Sequence, residues 1–523
     1  MATILREASV APGASDITIG LWLFVGLLAA HVAVARWLPR VVPSHNVTGA
    51  TEPPLPLAPV LVLLIVGLAA RLPGLNGGLW FDEIQTLVEY VRLPWSVLLT
   101  TFDSTNQHFL FSIAARAVRT VGGESAAMLR LPAAIFGVLS LWATVAFGRR
   151  WLPTREAWWS GVLLAVSYHH VWFSQNARGY TGLLLGSLLA SSLMLDMLRD
   201  TPATRRQVWS YALVVALTLL THITALVVVA GHGVCWLVWL RTQPRGIARW
   251  APGVALVLGG TVAMMLYAPV LPQLVGALGS SGTGVTGAEW QRPGWFLAEA
   301  IAGLIRGVPA GALVLPVTAV VVLAGLHDAW RHHRLAAIMM VLPLVMMAAL
   351  LLSTGHNMWP RFFFFGAAFV VQWAVHGGFV VLARVLPRAG TRIGDLGLSA
   401  VTLASLLLLP RAWAPKQDYP AALTWLAEAR RPTDPIAGTE MMDLPMNLWL
   451  GQQWPIIRTV GELQSLEAGT PATWVVTTFR IRLESTAPAL ASYLDSAYTV
   501  AHVIPASIGG GEVRILRRRP AIR

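Results

Sequence analysis

Long apolar runs between residues 17 and 409 constrain the fold of this chain more than any other feature of its sequence. Many of them are about 16 to 22 residues long, and a helix of that length spans the roughly 30 Å hydrocarbon core of a bilayer. With 523 residues, 55% hydrophobic and 12% charged, the chain is also too apolar for a soluble protein of its size. The sequence therefore predicts an all-α polytopic membrane protein.

Twelve of these runs are predicted transmembrane helices. They cover residues 17–34, 57–72, 131–148, 157–173, 181–198, 208–220, 223–240, 254–270, 310–326, 335–352, 362–381 and 396–409. An even number of crossings places both termini on the same side of the membrane.

Arginine pairs between the runs predict which side this is. Basic residues close to helix ends are retained in the cytoplasm, so the loops that carry the pairs are expected inside. The pairs and clusters are Arg36 with Arg40, Arg149 with Arg150, Arg205 with Arg206, Arg241 with Arg245 and Arg249, Arg331 with Arg334, and Arg384 with Arg388 and Arg392. Both termini, the loop at residues 73–130, the segment 174–180 and Arg361 are then exterior, in a plasma (inner) membrane.

The net charge of +13 does not indicate a nucleic-acid partner, because the arginines form no basic stripe with interleaved aromatics. Membrane lipids are the expected surroundings. Cys235 is the only cysteine, which excludes an intrachain disulfide and a thiolate metal cluster. The start of the chain has no basic n-region, so the run 17–34 is predicted to be a retained helix. The glycosylation sequon at Asn46 is expected inside, where it has no meaning.

The composition changes after Trp413. Charged residues return, and β-rich runs such as TWVVTTF (473–479) and EVRILRR (512–518) alternate with helical runs such as AALTWLAEA (421–429). We predict a small exterior α/β domain at 412–523. It follows an extra helix and cytoplasmic linker at 1–56 and a transmembrane module at 57–411. The Gly/Ser-rich stretch 276–287 is expected to be a flexible loop.

The first exterior loop places two adjacent carboxylates, Asp82 and Glu83, near the bilayer surface. Apolar residues recur at helical spacing over residues 84–91, which predicts a helix lying in the interface plane. One interpretation makes Asp82 the N-cap of this helix, with Gln85 completing a capping box and Glu83 favouring the positive helix end. The alternative is a functional acid, because an unpaired charge at the edge of the bilayer is costly.

Seven short motifs follow one another along the chain. They are FDE (81–83), NQHFLF (106–111), LRLPAAIFG (129–137), GRR (148–150), YHHVWFSQNARGYTGLLL (168–185), LLTHITAL (219–226) and WPRFFFF (359–365). In order and spacing they resemble the GT-C superfamily of polytopic glycosyltransferases, in particular the protein O-mannosyltransferase and aminoarabinose transferase branch. The resemblance implies a GT-C fold with interfacial juxtamembrane helices, a polyprenyl-phosphate sugar donor, inverting transfer, and a catalytic base at Asp82.

The chain departs from the family pattern in three places. Some relatives carry a further acid near the fourth span, whereas SQNARGY (174–180) offers none. The family's loop usually reads Asn-His-Pro-Pro-Leu-Tyr, whereas this chain has Asn106, Gln107, His108 and Phe109 without prolines. The helix at 17–34 also precedes what would be the family's first span.

The expected reaction assigns further residues. Charge grows on the lipid phosphate as it leaves, so cations placed for that product stabilise the transition state. The phosphate-binding candidates are Arg178, His222 and Arg361; the catalytic candidates are Asp82 and Glu83; possible donor or acceptor contacts are Asn106, His108, His170 and Tyr180.

Other interpretations of single residues stay open. Arg361 could extend to lipid headgroups, and His222 could be a satisfied histidine between helices. His108, His169 and His170 could indicate a metal, but no histidine pair has a carboxylate at ligand spacing. We therefore expect no required cofactor, with a divalent metal as the alternative.

Two other classes of protein share some of these features. A transporter or lipid flippase could also have twelve helices, but the sequence shows no two-half hydropathy symmetry and no paired interrupted helices. A polysaccharide polymerase or ligase commonly has its large loop late in the chain, whereas here the long loop comes early. The predicted function is a glycosyltransferase, and the sugar, the oligomeric state and the acceptor (a protein, a lipid or a glycan) are left open.

Overall fold

The computed structural model describes residues 14–42, 54–102, 104, 106–199, 202–281, 289–308, 310–470 and 472–519. The Asn46 sequon and residues 282–287 of the Gly/Ser-rich stretch lie outside these ranges. Within them, the apolar part of the chain is helical. Its helices are α1 (Ala14–Val41), α2 (Leu57–Ala69), α3 (Phe81–Thr86), α4 (Trp95–Thr100), α5 (Phe109–Gly122), α6 (Ala126–Gly148), α7 (Thr154–Ala165), α8 (Tyr168–Ser174), α9 (Tyr180–Met197), α10 (Arg205–Thr221), α11 (Ala225–Leu240), α12 (Ala251–Tyr267), α13 (Leu271–Ser281), α14 (Pro293–Gly307), α15 (Gly311–His332), α16 (Arg334–Thr354), α17 (Ala367–Val385) and α18 (Gly390–Trp413).

Each of the twelve predicted runs overlaps a helix. Among the described residues, eight helical segments are long and apolar enough to cross a membrane, and α2 and α11 are shorter apolar helices. This confirms a polytopic membrane protein, whereas the total of twelve crossings stays a prediction. Two details were wrong. The run 157–173 is divided between α7 and α8, and residues 276–281, expected in a loop, belong to α13.

Helix α9 lies at the centre of the bundle, and 72% of its 18 residues are buried. It can approach α10 closely because Gly186 has no side chain, and a Cβ atom there would lie 2.0 Å from the Oγ1 atom of Thr218. The contact sets the start of α9 beside the end of α10. Tyr180 and His222 therefore become neighbours, with ring centroids 5.3 Å apart.

Basic clusters from several helices meet at one end of the bundle. Arg150, just after α6, donates two hydrogen bonds of 2.9 and 2.7 Å to Asp196 near the end of α9. Arg205, which begins α10, donates to the carbonyl of Val42 after α1 at 3.3 Å. Arg150 and Arg205, whose contacts are described, thus lie at the same end of the bundle. The side of the membrane on which this end lies stays a prediction.

The C-terminal part forms the predicted α/β domain. Its elements are α19 (Tyr419–Ala429), β1 (Ile436–Thr439), β2 (Ile456–Ile457), α20 (Val460–Glu467), β3 (Trp474–Thr477), α21 (Arg480–Thr486), α22 (Pro488–Ala497), β4 (Tyr498–Ile504) and β5 (Val513–Arg518). The strand order is β2-β1-β3-β5-β4; β1 is parallel to β2 and β3, and β5 is antiparallel to β3 and β4. The runs 473–479 and 512–518 form β3 and β5 as expected.

The apolar face of α3 packs inside the protein. Ile84, Leu87 and Val91 are almost fully buried and belong to one core with Tyr419, Met446 and other residues of the C-terminal domain. The chain continues past α3 as a π-helical turn at Leu87–Val91. The expectation that this face lies in the lipid interface is therefore wrong, because the C-terminal domain covers it.

Candidate active site

Helix α3 presents Asp82 from its first turn. The helix begins at Phe81 and its N-cap position is Trp80, so the interpretation of Asp82 as an N-cap is wrong. Glu83 reaches back instead, because its Oε2 atom accepts from the backbone N–H of Trp80 at 3.2 Å. The two adjacent carboxylates therefore have different surroundings.

Glu83 is completely buried in a dense set of hydrogen bonds. Arg130, on α6, donates to both of its oxygens, at 2.7 and 2.6 Å, and the backbone N–H of Ala177 donates at 2.7 Å. Burial acts to raise the pKa of Glu83, but Arg130 outweighs it and holds the pKa below its ordinary value. Both oxygens of Glu83 are occupied, and this geometry favours a positioning role over a catalytic one.

The Asp82 carboxylate is the free one of the two. Its side chain is 13% exposed, and its Oδ2 atom is buried without a hydrogen-bond partner among the described residues. Its nearest cation is Arg361, whose Nη2 atom lies 3.6 Å from Oδ2. The guanidinium of Arg361 lies over the Trp359 ring at 4.6 Å and the Trp80 ring at 5.7 Å. Arg361 therefore faces the acid and does not simply extend to lipid headgroups.

Arg178 connects the segment before α9 to the first loop. It is 2% exposed, donates to Asn106 Oδ1, and donates to Thr86 Oγ1 at 3.3 Å. Asn106 in turn donates to Gln85. The Nε atom of Arg178 is buried and has no partner among the described residues. Residues 106–108 of the first loop therefore contact the segment 174–180.

Two histidines complete this part of the site, with His108 and His222 ring centroids 4.2 Å apart. The Nδ1 atom of His108 accepts from the Gly179 N–H at 2.6 Å, and that of His222 accepts from the Thr224 N–H at 3.2 Å. A neutral imidazole that accepts at one nitrogen carries its proton on the other. Each ring therefore presents an Nε2–H group, and His222 Nε2 is buried without a partner among the described residues.

The electrostatics keep both rings neutral. Burial, with smaller contributions from Arg178 and Arg361, lowers the pKa of His108 well below 6.5 and that of His222 to about 3. His108 Nε2 also lies 3.2 Å from Nη2 of Arg178, so two donors face each other. An anion beside them would accept from both. The alternative that His222 is a satisfied interhelical histidine does not fit its free Nε2 atom.

Unpaired buried polar atoms of the described residues concentrate around these side chains. They include Asp82 Oδ2, both amide atoms of Gln107, Asn176 Nδ2, Arg178 Nε, His222 Nε2, Arg361 Nε and Tyr419 OH. Native proteins rarely leave such atoms unpaired, and a bound polar ligand or ordered water would supply their partners. Five are N–H donors, on Gln107, Asn176, Arg178, His222 and Arg361. Such donors suit phosphate oxygens, and the acceptor on Asp82 suits a hydroxyl group.

The remaining predicted contacts differ in their placement. Tyr180 is buried beside His108, with ring centroids 5.3 Å apart, and so belongs to the cluster. His170 is held elsewhere, because its Nε2 atom pairs with Ser140 at 2.9 Å and its Nδ1 atom with Arg71. No group of three or more His, Cys, Asp or Glu side chains in the described part of the chain could hold a metal ion. The expectation about a metal requirement stays a prediction.

Sequence reasoning missed several residues that support the site. Arg130 binds Glu83, and Lys416 donates to the Gln175 carbonyl at 2.7 Å while lying 4.8 Å from the Trp172 ring centre. Burial lowers the pKa of Lys416 to about 7. The available signals were an arginine within an apolar helix and the single lysine of the chain, both of which are costly to bury without a partner.

Comparisons with known proteins give structural matches only. No protein-family profile and no curated protein matches the sequence. The crystal structure of apo ArnT from Cupriavidus metallidurans is similar, with a TM-score of 0.50 and 14% identity over 88% of this chain and 97% of ArnT. The same protein bound to undecaprenyl phosphate gives a TM-score of 0.48, with the same identity and coverage. An oligosaccharyltransferase from Archaeoglobus fulgidus, tethered to an acceptor peptide, gives 0.46, with 12% identity over 94% of this chain and 74% of that one.

Proposed function

Because the chain has the GT-C fold, as its likeness to ArnT shows, we propose that it is an inverting glycosyltransferase that uses a polyprenyl-phosphate sugar. The observation that carries the proposal is the cluster of unpaired polar atoms. The unpaired carboxylate oxygen of Asp82 lies 3.6 Å from Arg361, and Arg178, His222 and Arg361 each have an unpaired N–H donor. This combination suits a reaction in which a hydroxyl group loses a proton while a phosphate gains charge.

Asp82 is the proposed general base. It takes the proton of the acceptor hydroxyl as that oxygen attacks the anomeric carbon from the face opposite the phosphate. The bond between the anomeric carbon and the phosphate oxygen breaks, and its electron pair goes to the phosphate. The product is a glycoside of inverted configuration and a free polyprenyl phosphate.

Arg178, His222 and Arg361 are the proposed phosphate ligands. The lipid phosphate changes from a diester with one negative charge to a monoester with nearly two. N–H groups that are already in place stabilise the second negative charge more than the first. They therefore lower the free energy of the transition state more than that of the complex with the lipid-linked sugar. The neutral Nε2–H group of His222 and the free Nε atoms of the two arginines supply such donors. His108, Asn106 and Tyr180 are the proposed surrounding contacts.

The proposed location is the exterior face of the plasma membrane. Nucleotide sugars are cytoplasmic, so a transferase that works outside needs a sugar carried across on a lipid. The arginine distribution predicts that the loop with Asp82 lies outside. We expect no metal in the reaction, and treatment with EDTA should leave the rate unchanged.

The test separates catalysis from donor binding. Purified protein is incubated with labelled undecaprenyl-phosphate mannose, arabinose and aminoarabinose, and envelopes from cells lacking the gene supply the acceptor. Asp82→Asn should reduce transfer by about a thousandfold or more, because the base is lost. Binding of undecaprenyl phosphate, counted by native mass spectrometry, should be retained. The matched control is Asp196→Asn, which removes a carboxylate paired with Arg150 at the other end of the bundle.

Several results would contradict the proposal. Transfer that survives in Asp82→Asn removes Asp82 as the base. Unchanged lipid-phosphate binding in both Arg178→Ala and Arg361→Ala shows that the leaving-group site lies elsewhere. Movement of the intact lipid-linked sugar across a vesicle membrane, with no transfer to any acceptor, favours a flippase.

A further inference from the structure

The linker between α18 and α19 contacts the first turn of the helix that carries Asp82. Gln417 lies in this linker and is completely buried. Its Oε1 atom accepts from the backbone N–H of Phe81 at 3.0 Å. The first N–H groups of a helix have no partner within the helix, so an outside acceptor fixes where the helix begins. Gln417 therefore holds α3 one residue before Asp82.

The other end of the Gln417 amide is tied to the C-terminal domain. Its Nε2 atom donates to the Gly511 carbonyl at 2.8 Å and to Thr478 Oγ1 at 3.1 Å. Thr478 follows β3, Gly511 precedes β5, and the Thr478 hydroxyl donates to the Gly511 carbonyl at 3.2 Å. All the donors and the acceptor atom of this amide are in use, so the side chain has one favourable position.

Phe479 supplies a second contact from the same corner of the sheet. Its φ of 49° lies in the left-handed region, which is costly for a residue with a side chain. Its ring meets the Phe81 ring edge to face, with centroids 6.0 Å apart. The backbone of Phe81 is thus fixed by Gln417 and its side chain by Phe479, both of which belong to the C-terminal part of the chain.

We propose that Gln417 is a positioning residue through which the C-terminal domain sets the place of the Asp82 carboxylate. This inference rests on the proposed function. The opposite side of α3 is anchored to the membrane helices by Glu83 and Arg130. Asp82 is therefore held between the C-terminal domain and the membrane helices. Loss of the hydrogen bonds of Gln417 would let Asp82 move relative to the phosphate site. A misplacement of about 1 Å is enough to reduce a rate by roughly a hundredfold.

The test measures turnover and donor binding separately in the full-length protein. Gln417→Met keeps the length of the side chain and removes its three hydrogen bonds. We expect turnover at saturating donor to fall by about tenfold to a hundredfold, because the base is misplaced. Binding of undecaprenyl phosphate should stay within about twofold of the parent, because the phosphate ligands are unchanged. A merely structural role would instead lower both quantities together with the thermal unfolding midpoint.

Two further variants make the result specific. Tyr498→Phe removes a 2.7 Å hydrogen bond to the buried Glu467 in the same domain, away from Phe81, and should keep full turnover. Thr478→Val leaves the bond between Gln417 and Phe81 in place but removes one of the anchors of Gln417. It should lower turnover less than Gln417→Met does. If Gln417→Met does not fold, Thr478→Val decides, and unchanged turnover in it overturns the proposal.

The remaining outcomes distinguish this inference from the function on which it rests. Full turnover in folded Gln417→Met overturns the positioning role, provided that Asp82→Asn is inactive. Equal losses of turnover and lipid-phosphate binding in Gln417→Met also overturn it. Transfer by Asp82→Asn instead overturns the proposed function itself.

Discussion

His108 and His222 act in this site as neutral N–H donors. Their Nδ1 atoms are occupied by backbone N–H groups of Gly179 and Thr224. Protonation would place a third and fourth positive charge next to Arg178 and Arg361. Burial and the charges of Arg178 and Arg361 lower the pKa of both rings. At neutral pH the positive charge of this cluster therefore lies on the arginines.

The lowered pKa values predict a loss of stability in acid. In the unfolded chain a histidine takes up its proton near pH 6.5, whereas folded His222 does so at about 3. The unfolded state therefore binds more protons as the pH falls below 6.5, and the free energy of unfolding falls with it. At pH 5 the loss from His222 is on the order of 2 kcal/mol. The thermal unfolding midpoint in detergent should decrease from pH 7 to pH 5, and less steeply in His222→Phe. Parallel pH profiles for the two proteins would contradict this.

At the residue scale, the motifs identified several side chains that lie close together in the structure, but not how these side chains are paired. Asp82, Arg178 and Arg361 were identified from motifs, and the structure brings them to one cluster with His108 and His222. The different surroundings of the Asp82 and Glu83 carboxylates could not be predicted from their adjacent positions in the sequence. The difference depends on Arg130, which is 47 positions from Glu83. His170 was included for its motif, but two hydrogen bonds hold it in another network.

Helix α3 shows what periodicity can and cannot predict about an element. Apolar residues at helical spacing correctly predicted a helix with one buried face. They could not tell lipid from protein as the partner of that face, because both environments are apolar. The C-terminal domain that covers it lies more than three hundred residues along the chain. Gln417, which fixes the start of α3, carries no sequence signal of its role.

The anchor of α3 gives a prediction about stability. Arg130→Ala should leave the Glu83 carboxylate buried without its cation, which costs about 3 to 5 kcal/mol. The double variant Glu83→Gln with Arg130→Met removes both charges and should be distinctly more stable than Arg130→Ala alone. Thermal unfolding of the purified proteins measures the order. If the single variant is as stable as the parent, the ion pair does not anchor the helix.

At the scale of the whole molecule, composition was the most informative property. Composition predicted the membrane class and the α/β domain after Trp413, whereas the GT-C fold was implied by the resemblance of the motifs; all three are confirmed. The packing of the α/β domain over the first loop was not predicted, because the contacts between them involve single backbone N–H groups and aromatic edges. Such contacts leave no periodic pattern in either segment.

The orientation in the membrane can be tested with single cysteines. The native Cys235 is buried, so it should give little background labelling. Ser465→Cys lies on the C-terminal domain and Arg245→Cys in the loop between α11 and α12, both at exposed positions. In intact cells a membrane-impermeant maleimide should label position 465 only, because the arginine loops are retained inside. Labelling of position 245 in place of 465 would reverse the proposed side of the reaction.

The contact between Arg361 and Asp82 has a kinetic consequence. At 3.6 Å the opposite charges of the two side chains offset each other. A lipid phosphate offers Arg361 two or more charged oxygens in place of one carboxylate, and guanidinium groups favour such partners. If the proposed function holds, Asp82 would then be released to accept a proton only after the lipid-linked sugar has bound. An acceptor that binds first meets an occupied base, so the reaction should follow a compulsory order with the lipid entering before the alcohol.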